Sequence, residues 1–163
     1  MPAYYFDASD AAPTDPDSAW TNDANVFDID ESTAAEASAG AGSVSTRFLL
    51  AEGTNAPDNG LTIFRVKARV YGSGLTSPTV DAAIYTDGLG ELLGTAQHNN
   101  DPGWGSYITL STPTGGWTWV KVQALEVKLY NTSAIQPKSA NKVEVLVELE
   151  SIPGRIYRVQ GFQ

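Results

Sequence analysis

The sequence predicts an all-β fold: an antiparallel β-sandwich or jelly roll of about nine or ten strands, with an acidic, partly extended N-terminal arm. Three observations lead to this prediction. Residues 64–71 and 143–150 alternate between apolar and polar side chains with a period of two. Short apolar runs are separated by turn-forming pairs such as Asn59-Gly60. No stretch shows the apolar period of a long helix.

The N-terminal region is acidic and rich in turn formers. Residues 3–7 are a short apolar run that we expect to form a first strand. Residues 10–17 contain two prolines and three aspartates, which favour a loop. We therefore assign residues 1–19 to an acidic arm and residues 20–163 to a single sandwich domain. Residues 32–42 are rich in Ala, Ser, Thr and Gly, which indicates a connection, with a short helix over 33–39 as the alternative.

The middle of the chain should supply core strands, the first at residues 43–52. In the next strand, one face carries Phe64, Val66, Ala68 and Val70, and the other carries Arg65, Lys67, Arg69 and Tyr71. This alternation is typical of an antiparallel strand with one buried face. Residues 80–86 should form a strand that buries Val80, Ala82 and Ile84. A turn at 87–90 then leads into a strand at 91–97.

The second half begins with a predicted loop at 99–105 and a short strand at 106–111. The apolar residues then change parity, from Val120, Val122 and Ala124 to Leu125, Val127 and Leu129. One pleated strand cannot bury both sets on the same face. We therefore predict a tryptophan-bearing turn, a bend near 123–124 and a strand from about 125 to 130. Residues 141–150 and 156–162 should supply the last strands.

The polar faces of two predicted strands carry opposite charges. Arg65, Lys67 and Arg69 follow one strand, and Glu144, Glu148 and Glu150 follow the other. If these strands are neighbours, each cross-strand pair should add roughly 0.2–1 kcal/mol of stability.

The net charge of −9 is unevenly distributed along the chain. The first 46 residues hold nine Asp and Glu and no Lys or Arg, while the rest of the chain is balanced. Such a segment repels nucleic acid and anionic membranes, so we expect neither as a partner. It would suit a basic protein surface or a divalent cation, and the alternative is a solvated arm.

Several classes of protein are excluded or disfavoured by composition. Without cysteine the chain has no disulfide, cysteine-zinc site or catalytic thiol. We see no signal peptide and no membrane-spanning run, and we expect synthesis in a cytoplasm. The single histidine, His98, lies in a predicted loop, and there is no Gly-x-Ser-x-Gly elbow or phosphate-binding glycine loop. We therefore expect a protein that is not an enzyme.

Two groups of residues are candidate binding sites. Asp28, Asp30 and Thr33 place oxygen atoms close together along the chain, and oxygen ligands suit calcium, although an acidic turn is the simpler interpretation. Trp104, Trp117 and Trp119 lie near glycines in predicted loops. Exposed indoles stack on sugars or enter a partner surface, and the alternative is that they close the ends of the sandwich.

Residues 25–33 resemble the Asn-Ala-Phe-Asp-Gly-Asp-x-x-Thr signature of discoidin-like (galactose-binding-like) jelly rolls, and residues 154–162 are similar to their closing strand. In that family the acidic loop often holds a structural calcium. The resemblance implies Asp28, Asp30 and Thr33 as calcium ligands. Ile29 stands where the signature has glycine, and Gln160 stands where the last strand has glutamate.

A second resemblance covers more of the chain, at residues 20–28, 80–88, 116–119 and 125–127. These segments are similar to small β-sandwich structural proteins of tailed phages. The resemblance implies a virion protein, most simply a capsid decoration protein, with other capsid or tail proteins as partners and a homo-oligomer, guessed as a trimer. The alternative is a carbohydrate-binding module or a tail or fibre adhesin domain of discoidin-like type, with glycans as ligands.

Overall fold

The computed structural model describes residues 3–7, 20–21, 35–37, 47–50, 61–73, 80–98, 103–131 and 138–150. In these ranges the chain forms eleven strands, a 3-10 turn at Asp87–Leu89 and a short helix, α1 (Trp119–Gln123). The strands are β1 (Ala3–Asp7), β2 (Trp20–Thr21), β3 (Ala35–Ala37), β4 (Arg47–Leu50), β5 (Ile63–Ser73), β6 (Val80–Tyr85), β7 (Leu92–Gln97), β8 (Gly103–Trp104), β9 (Ile108–Thr109), β10 (Leu125–Asn131) and β11 (Lys138–Leu149).

The strands form two antiparallel sheets, which confirms the predicted all-β sandwich. The seven-stranded sheet has the order β2-β3-β11-β5-β8, with β1 also paired to β11 and β9 to β5. The four-stranded sheet has the order β4-β10-β6-β7. The long strands β5 and β11 pair along almost their whole length and form the centre of the larger sheet.

The core lies between the inner faces of the two sheets. The seven-stranded sheet contributes Val66, Ala68, Val70, Val143, Val145, Val147 and Leu149, and the four-stranded sheet contributes Val80, Ala82, Ile84, Leu125, Val127 and Leu129. These residues include the inward sets predicted for β6, β10 and β11, which are confirmed. Burial of apolar side chains on both faces of this gap is the main stabilising contribution in such a fold.

Phe64 is the exception on β5, and its predicted core position is wrong. Arg65 lies opposite Glu148 and Ile63 lies opposite Leu149, so Phe64 is the extra residue of a β-bulge. Ile63 takes the buried position, and Phe64 remains 49% exposed. A strict period of two cannot predict a bulge, because the inserted residue shifts the alternation by one.

Helix α1 explains the change of parity in the tryptophan-bearing segment. The Thr118 side chain accepts a hydrogen bond from the Lys121 backbone N–H and caps the helix. The helix turns Val122 into the core and leaves Val120 74% exposed. Strand β10 then starts at Leu125. The predicted bend and strand start are confirmed, and the bend is a single helical turn.

Other boundaries differ from the predictions. The connection predicted over 32–42 is wrong at residues 35–37, which form a strand, and the alternative of a short helix is wrong there too. The strand predicted over 43–52 is described only at 47–50. Residues 3–7 form the first strand, as predicted, and pair with β11. The rest of the predicted arm and the closing strand at 156–162 lie outside the described residues. No helix in the described ranges is long and apolar enough to span a lipid bilayer.

Residues 103–111 close one side of the sandwich. Strand β8 lies within this segment, so the predicted loop at 99–105 is wrong at residues 103–104. The segment follows the edge of β5, where the Gly105 N–H donates to the Val70 carbonyl at 2.8 Å. Farther along, the Ser111 N–H donates to the Leu93 carbonyl of the other sheet at 2.8 Å. A Cβ at Gly105 would overlap the Gln97 carbonyl oxygen, so this close approach requires glycine.

Candidate binding site on the outer face of the larger sheet

The outer face of the seven-stranded sheet carries the predicted ladder of opposite charges. Arg65 Nε pairs with a Glu148 oxygen, and Lys67 Nζ lies 2.9 Å from the other Glu148 oxygen. Arg69 Nε lies 2.7 Å from Glu144 Oε1. The prediction that these strands pair their charges is confirmed for Glu144 and Glu148. Glu150 follows the last residue of β11 and is exposed, outside the ladder.

Glu148 is shared by two cations. The Arg65 hydrogen bond, with a smaller contribution from Lys67, holds the pKa of Glu148 below its ordinary value of 4.5, although burial acts in the opposite direction. The Glu148 side chain keeps only 14% of its exposure. A pair shielded in this way loses less of its interaction to solvent than a fully exposed one.

Arg69 is the centre of a cluster that also contains Trp104, Tyr107, Glu144 and Tyr71, which we call the Arg69 cluster. Its guanidinium carbon lies 4.0 Å from the Trp104 ring centroid and 4.5 Å from the Tyr107 ring centroid. Both distances are within the range of cation–π attraction. The Tyr71 and Trp104 rings meet edge to face at 5.4 Å, which fixes the indole against the strand.

Glu144 ties the cluster together through a single oxygen. Oε1 accepts hydrogen bonds from Arg69 Nε and from the Tyr107 hydroxyl. Burial and this carboxylate raise the pKa of Tyr107 above its ordinary value of 10.0. The phenol therefore keeps its proton at neutral pH and remains a donor to Glu144.

Residues 103–111 place the rings of Trp104 and Tyr107 on the outer face of the seven-stranded sheet. Trp104 lies opposite Tyr71 in the ladder, and directly opposite residues share a face of a sheet. Tyr107 lies between the Gly105 N–H bond to β5 and the pairing of Ile108 with Ala68. The aromatic side chains are thus fixed by backbone hydrogen bonds on both sides.

The three predicted tryptophans do not form one surface. Trp104 belongs to the Arg69 cluster, whereas Trp117 and Trp119 are half-buried against the core. The Trp119 ring meets Tyr4 edge to face at 5.9 Å. This arrangement agrees with the interpretation that Trp117 and Trp119 close an end of the sandwich, and their role in binding stays a prediction.

The predicted calcium ligands Asp28, Asp30 and Thr33 lie outside the described residues, so that site stays a prediction. In the part of the chain that is described, no three His, Asp or Glu side chains form a group suited to a metal ion. His98, predicted in a loop, is buried, and its backbone N–H donates to the Val80 carbonyl at 3.1 Å.

Sequence reasoning named Trp104 as a binding candidate and placed Tyr71 on the same face as the ladder charges, but it did not identify Tyr107. A usable signal was present: residues 103–107 read Gly-Trp-Gly-Ser-Tyr, with two aromatic residues next to a close-approach glycine. Which strand this segment follows cannot be read from the local pattern, because edge pairing is a long-range contact.

A second polar region lies at the opposite sheet, around the fully buried Glu126 of β10. Its carboxylate accepts the backbone N–H groups of Gly88 at 3.1 Å and Leu89 at 2.8 Å, and so fixes the 3-10 turn. Next to this turn is a groove of about 370 Å³ that includes Asp87, Glu91 and Lys121. Lys121 Nζ is bonded to two carbonyl oxygens, of Thr114 at 2.7 Å and of Gly116 at 2.8 Å.

No protein-family model matches this chain, and no curated protein matches it.

Proposed function

We propose that the protein is a non-enzymatic structural protein of a tailed-phage particle, a decoration protein that docks on the capsid surface. The observation that supports this most is the outer face of the seven-stranded sheet, with the Arg69 cluster at its centre. The resemblance of several segments to phage β-sandwich proteins points to the same class.

The composition of this face suits contact with another protein. Partner surfaces are enriched in Tyr, Trp, Phe and Arg, and the residues that dominate binding energy are often Trp, Tyr and Arg. The face presents Arg69 with Trp104 and Tyr107, and Tyr5 adds a ring that is 60% exposed. Side chains that are already ordered lose less entropy when a partner binds.

The geometry favours a protein partner over a sugar at Trp104. A sugar ring stacks on an open indole face, but the Arg69 guanidinium already lies 4.0 Å from the Trp104 ring centroid. The competing hypothesis is a calcium-dependent carbohydrate-binding module, in which Asp28, Asp30 and Thr33 bind the calcium ion.

The test uses particles of the phage whose genome carries the gene. Gradient-purified particles should contain peptides of this chain at a fixed ratio to the major capsid protein, measured by quantitative mass spectrometry. Recombinant protein should rebind particles from which it has been removed. Trp104→Ala should weaken rebinding, whereas Lys128→Ala, on the other sheet, should not. Particles that lack the chain would show that the proposal is wrong.

The competing hypothesis has its own measurement. Binding to an array of glycans, with and without calcium, should show no specific ligand for the decoration protein. Specific glycan binding that needs calcium and disappears in Trp117→Ala would instead establish the carbohydrate-binding module.

A further inference from the structure

The groove beside the 3-10 turn is a cavity that lies apart from the proposed docking face. Its lining comes from the turn after β6, the loop after β9 and the helix α1, and no lining residue belongs to the seven-stranded sheet. Its volume of about 370 Å³ is at the small end of the range of ligand pockets. The groove therefore suits one long side chain, and it stays accessible when the outer face of the larger sheet is covered.

Hydrogen bonds hold the walls of the groove in place. The Thr86 N–H donates to the Glu91 carbonyl at 3.0 Å, and the Glu91 N–H donates to the Thr86 hydroxyl at 2.8 Å. The Thr114 N–H donates to Glu91 Oε2 at 3.1 Å, which joins the loop to the turn. Lys121 Nζ joins α1 to the same loop through the carbonyls of Thr114 and Gly116. Because the groove is preformed, little binding free energy is lost to ordering of the protein.

The charges of the groove favour a cationic ligand. The lining carries the exposed carboxylates of Asp87 and Glu91, and among the described residues neither of them forms an ion pair. The cation of the lining, Lys121, donates to two backbone carbonyls. Outside the lining, the Glu126 carboxylate lies behind the turn, and Lys128 lies two residues farther along β10. This excess of carboxylates attracts a positive group and repels an anion.

Part of the lining is apolar. Val120 is 74% exposed, more than any other large hydrophobic side chain in the described ranges, and it lines the groove together with Pro113 and Ala124. An arginine side chain packs its aliphatic part along such a surface and keeps its charged end among polar groups. A small inorganic cation would leave Val120 uncovered. The lining as a whole therefore matches a side chain that is both aliphatic and positively charged.

We propose that this groove binds an arginine side chain from an extended basic segment of a protein partner. The guanidinium pairs with Asp87 and Glu91, and its several N–H donors serve both carboxylates. The aliphatic part of the side chain packs on Val120. A basic segment also complements the net charge of −9, which speeds its approach. This contact is separate from the proposed docking on the capsid and does not rest on it.

The experiment titrates the nitrogen-15-labelled full chain with the blocked tripeptide acetyl-Ala-Arg-Ala-amide and follows the backbone amide signals by NMR. We expect saturable shifts at residues 86–91 and 113–124, and a dissociation constant that rises with salt. The same peptide with citrulline in place of arginine keeps nearly the same shape without the charge. It should bind at least tenfold more weakly, because the charge-assisted hydrogen bonds are lost.

Substitutions test the polar and the apolar part of the groove separately. Asp87→Asn and Glu91→Gln together remove both charges, and the Gln amide oxygen can still accept the Thr114 N–H, so binding should weaken by about tenfold or more. Val120→Ser, at an exposed position, should weaken binding by about threefold. As the control, Glu150→Gln removes an exposed carboxylate at the end of the larger sheet and should leave binding unchanged. Unfolding midpoints of the variants show that the fold is kept.

The absence of shifts at residues 86–91 and 113–124 would overturn the proposal. Equal binding of the citrulline peptide would also overturn it, and so would full binding by the variant that carries both Asp87→Asn and Glu91→Gln, since the carboxylates would then not make the contact. The titration uses no phage particles. Its failure is therefore distinct from failure of the proposed docking function, which the rebinding of Trp104→Ala tests.

Discussion

The two sheets each carry a glutamate on the outer side of a central strand, and the two carboxylates are held in different ways. Glu126 on β10 is fully buried under the 3-10 turn and accepts two backbone N–H groups. Glu148 on β11 keeps 14% of its side-chain exposure and pairs with Arg65 and Lys67. The environment of an outward carboxylate is thus set by which segment covers the sheet, and not by its own strand.

The other described side chains also differ between the two outer faces. On the four-stranded sheet, the Tyr85 and Tyr130 hydroxyls lie 3.5 Å apart, on either side of the Ala83–Lys128 pair in the ladder. Ala83 is therefore buried although it points away from the core. Among the described side chains, that face carries the tyrosine pair and the turn over Glu126, whereas the larger sheet carries the charge ladder and the Arg69 cluster. The difference is the reason to place partner contact on the larger sheet.

The largest expected effect concerns the buried carboxylate. Glu126→Ala removes the acceptor for two backbone N–H groups and leaves a cavity, so we expect the free energy of unfolding to fall by roughly 3 kcal/mol. Urea unfolding at neutral pH measures this loss. Glu126→Gln, which keeps one oxygen, should cost less, and the exposed Glu150→Ala should change stability by under about 0.5 kcal/mol. A Glu126→Ala loss as small as that of Glu150→Ala would contradict the comparison.

The next effect is the pH dependence of the ion-paired carboxylate. Because the pKa of folded Glu148 lies below the ordinary 4.5, its contribution is present above that value and is lost as pH falls through the lower folded pKa. The free energy of unfolding of the wild type should exceed that of Glu148→Gln by about 1 kcal/mol at neutral pH. This difference should shrink in acid, as measured by urea unfolding at a series of pH values. A difference that stays constant into strong acid would show that the ion pairs contribute nothing.

The smallest expected effect concerns ionisation at alkaline pH. The tyrosines of the two outer faces should lose their protons at different pH values. Burial, with a hydrogen bond to Tyr85, raises the pKa of Tyr130 from its ordinary value of 10.0 to about 12. The contribution of this shift to stability is present below the ordinary value and is lost as pH rises from there through the folded value. Tyr107 donates to a carboxylate and should ionise at still higher pH. Ultraviolet titration of tyrosinate measures both.

Single substitutions assign the two titrations. Tyr85→Phe should lower the pKa of Tyr130 and leave that of Tyr107 unchanged. Glu144→Gln should lower the pKa of Tyr107 and leave that of Tyr130 unchanged. If both variants shift the same group, the separation of the two faces is wrong.

Much of the larger sheet could be predicted from the sequence, because the alternation of apolar and polar residues within each strand indicates which side chains face the core. The alternation at 64–71 and 143–150 marked the two longest strands, and their opposite charges indicated that they are neighbours. The change of parity near residue 124 placed the start of β10 correctly. In each case the period of two links position along the chain directly to a face of the sheet.

The predictions were wrong where a contact with a distant part of the chain changes the link between position along the chain and a face of the sheet. Phe64 is displaced by a bulge whose register is set by β11. Residues 35–37 form a strand because they pair with β2 and β11, although their composition is helix-compatible. Trp104 becomes part of a strand only because residues 103–111 follow the edge of β5.

The sequence by itself determined the all-β class, the inward faces of the main strands and the charged ladder, since these depend on the order of apolar and charged residues. Only the tertiary structure decided that Arg69 lies over Trp104 and Tyr107, and that Glu126 is covered by the turn at Asp87–Leu89. Both arrangements join residues more than thirty positions apart. Such contacts are selected by packing over the whole sandwich, and local periodicity carries no information about them.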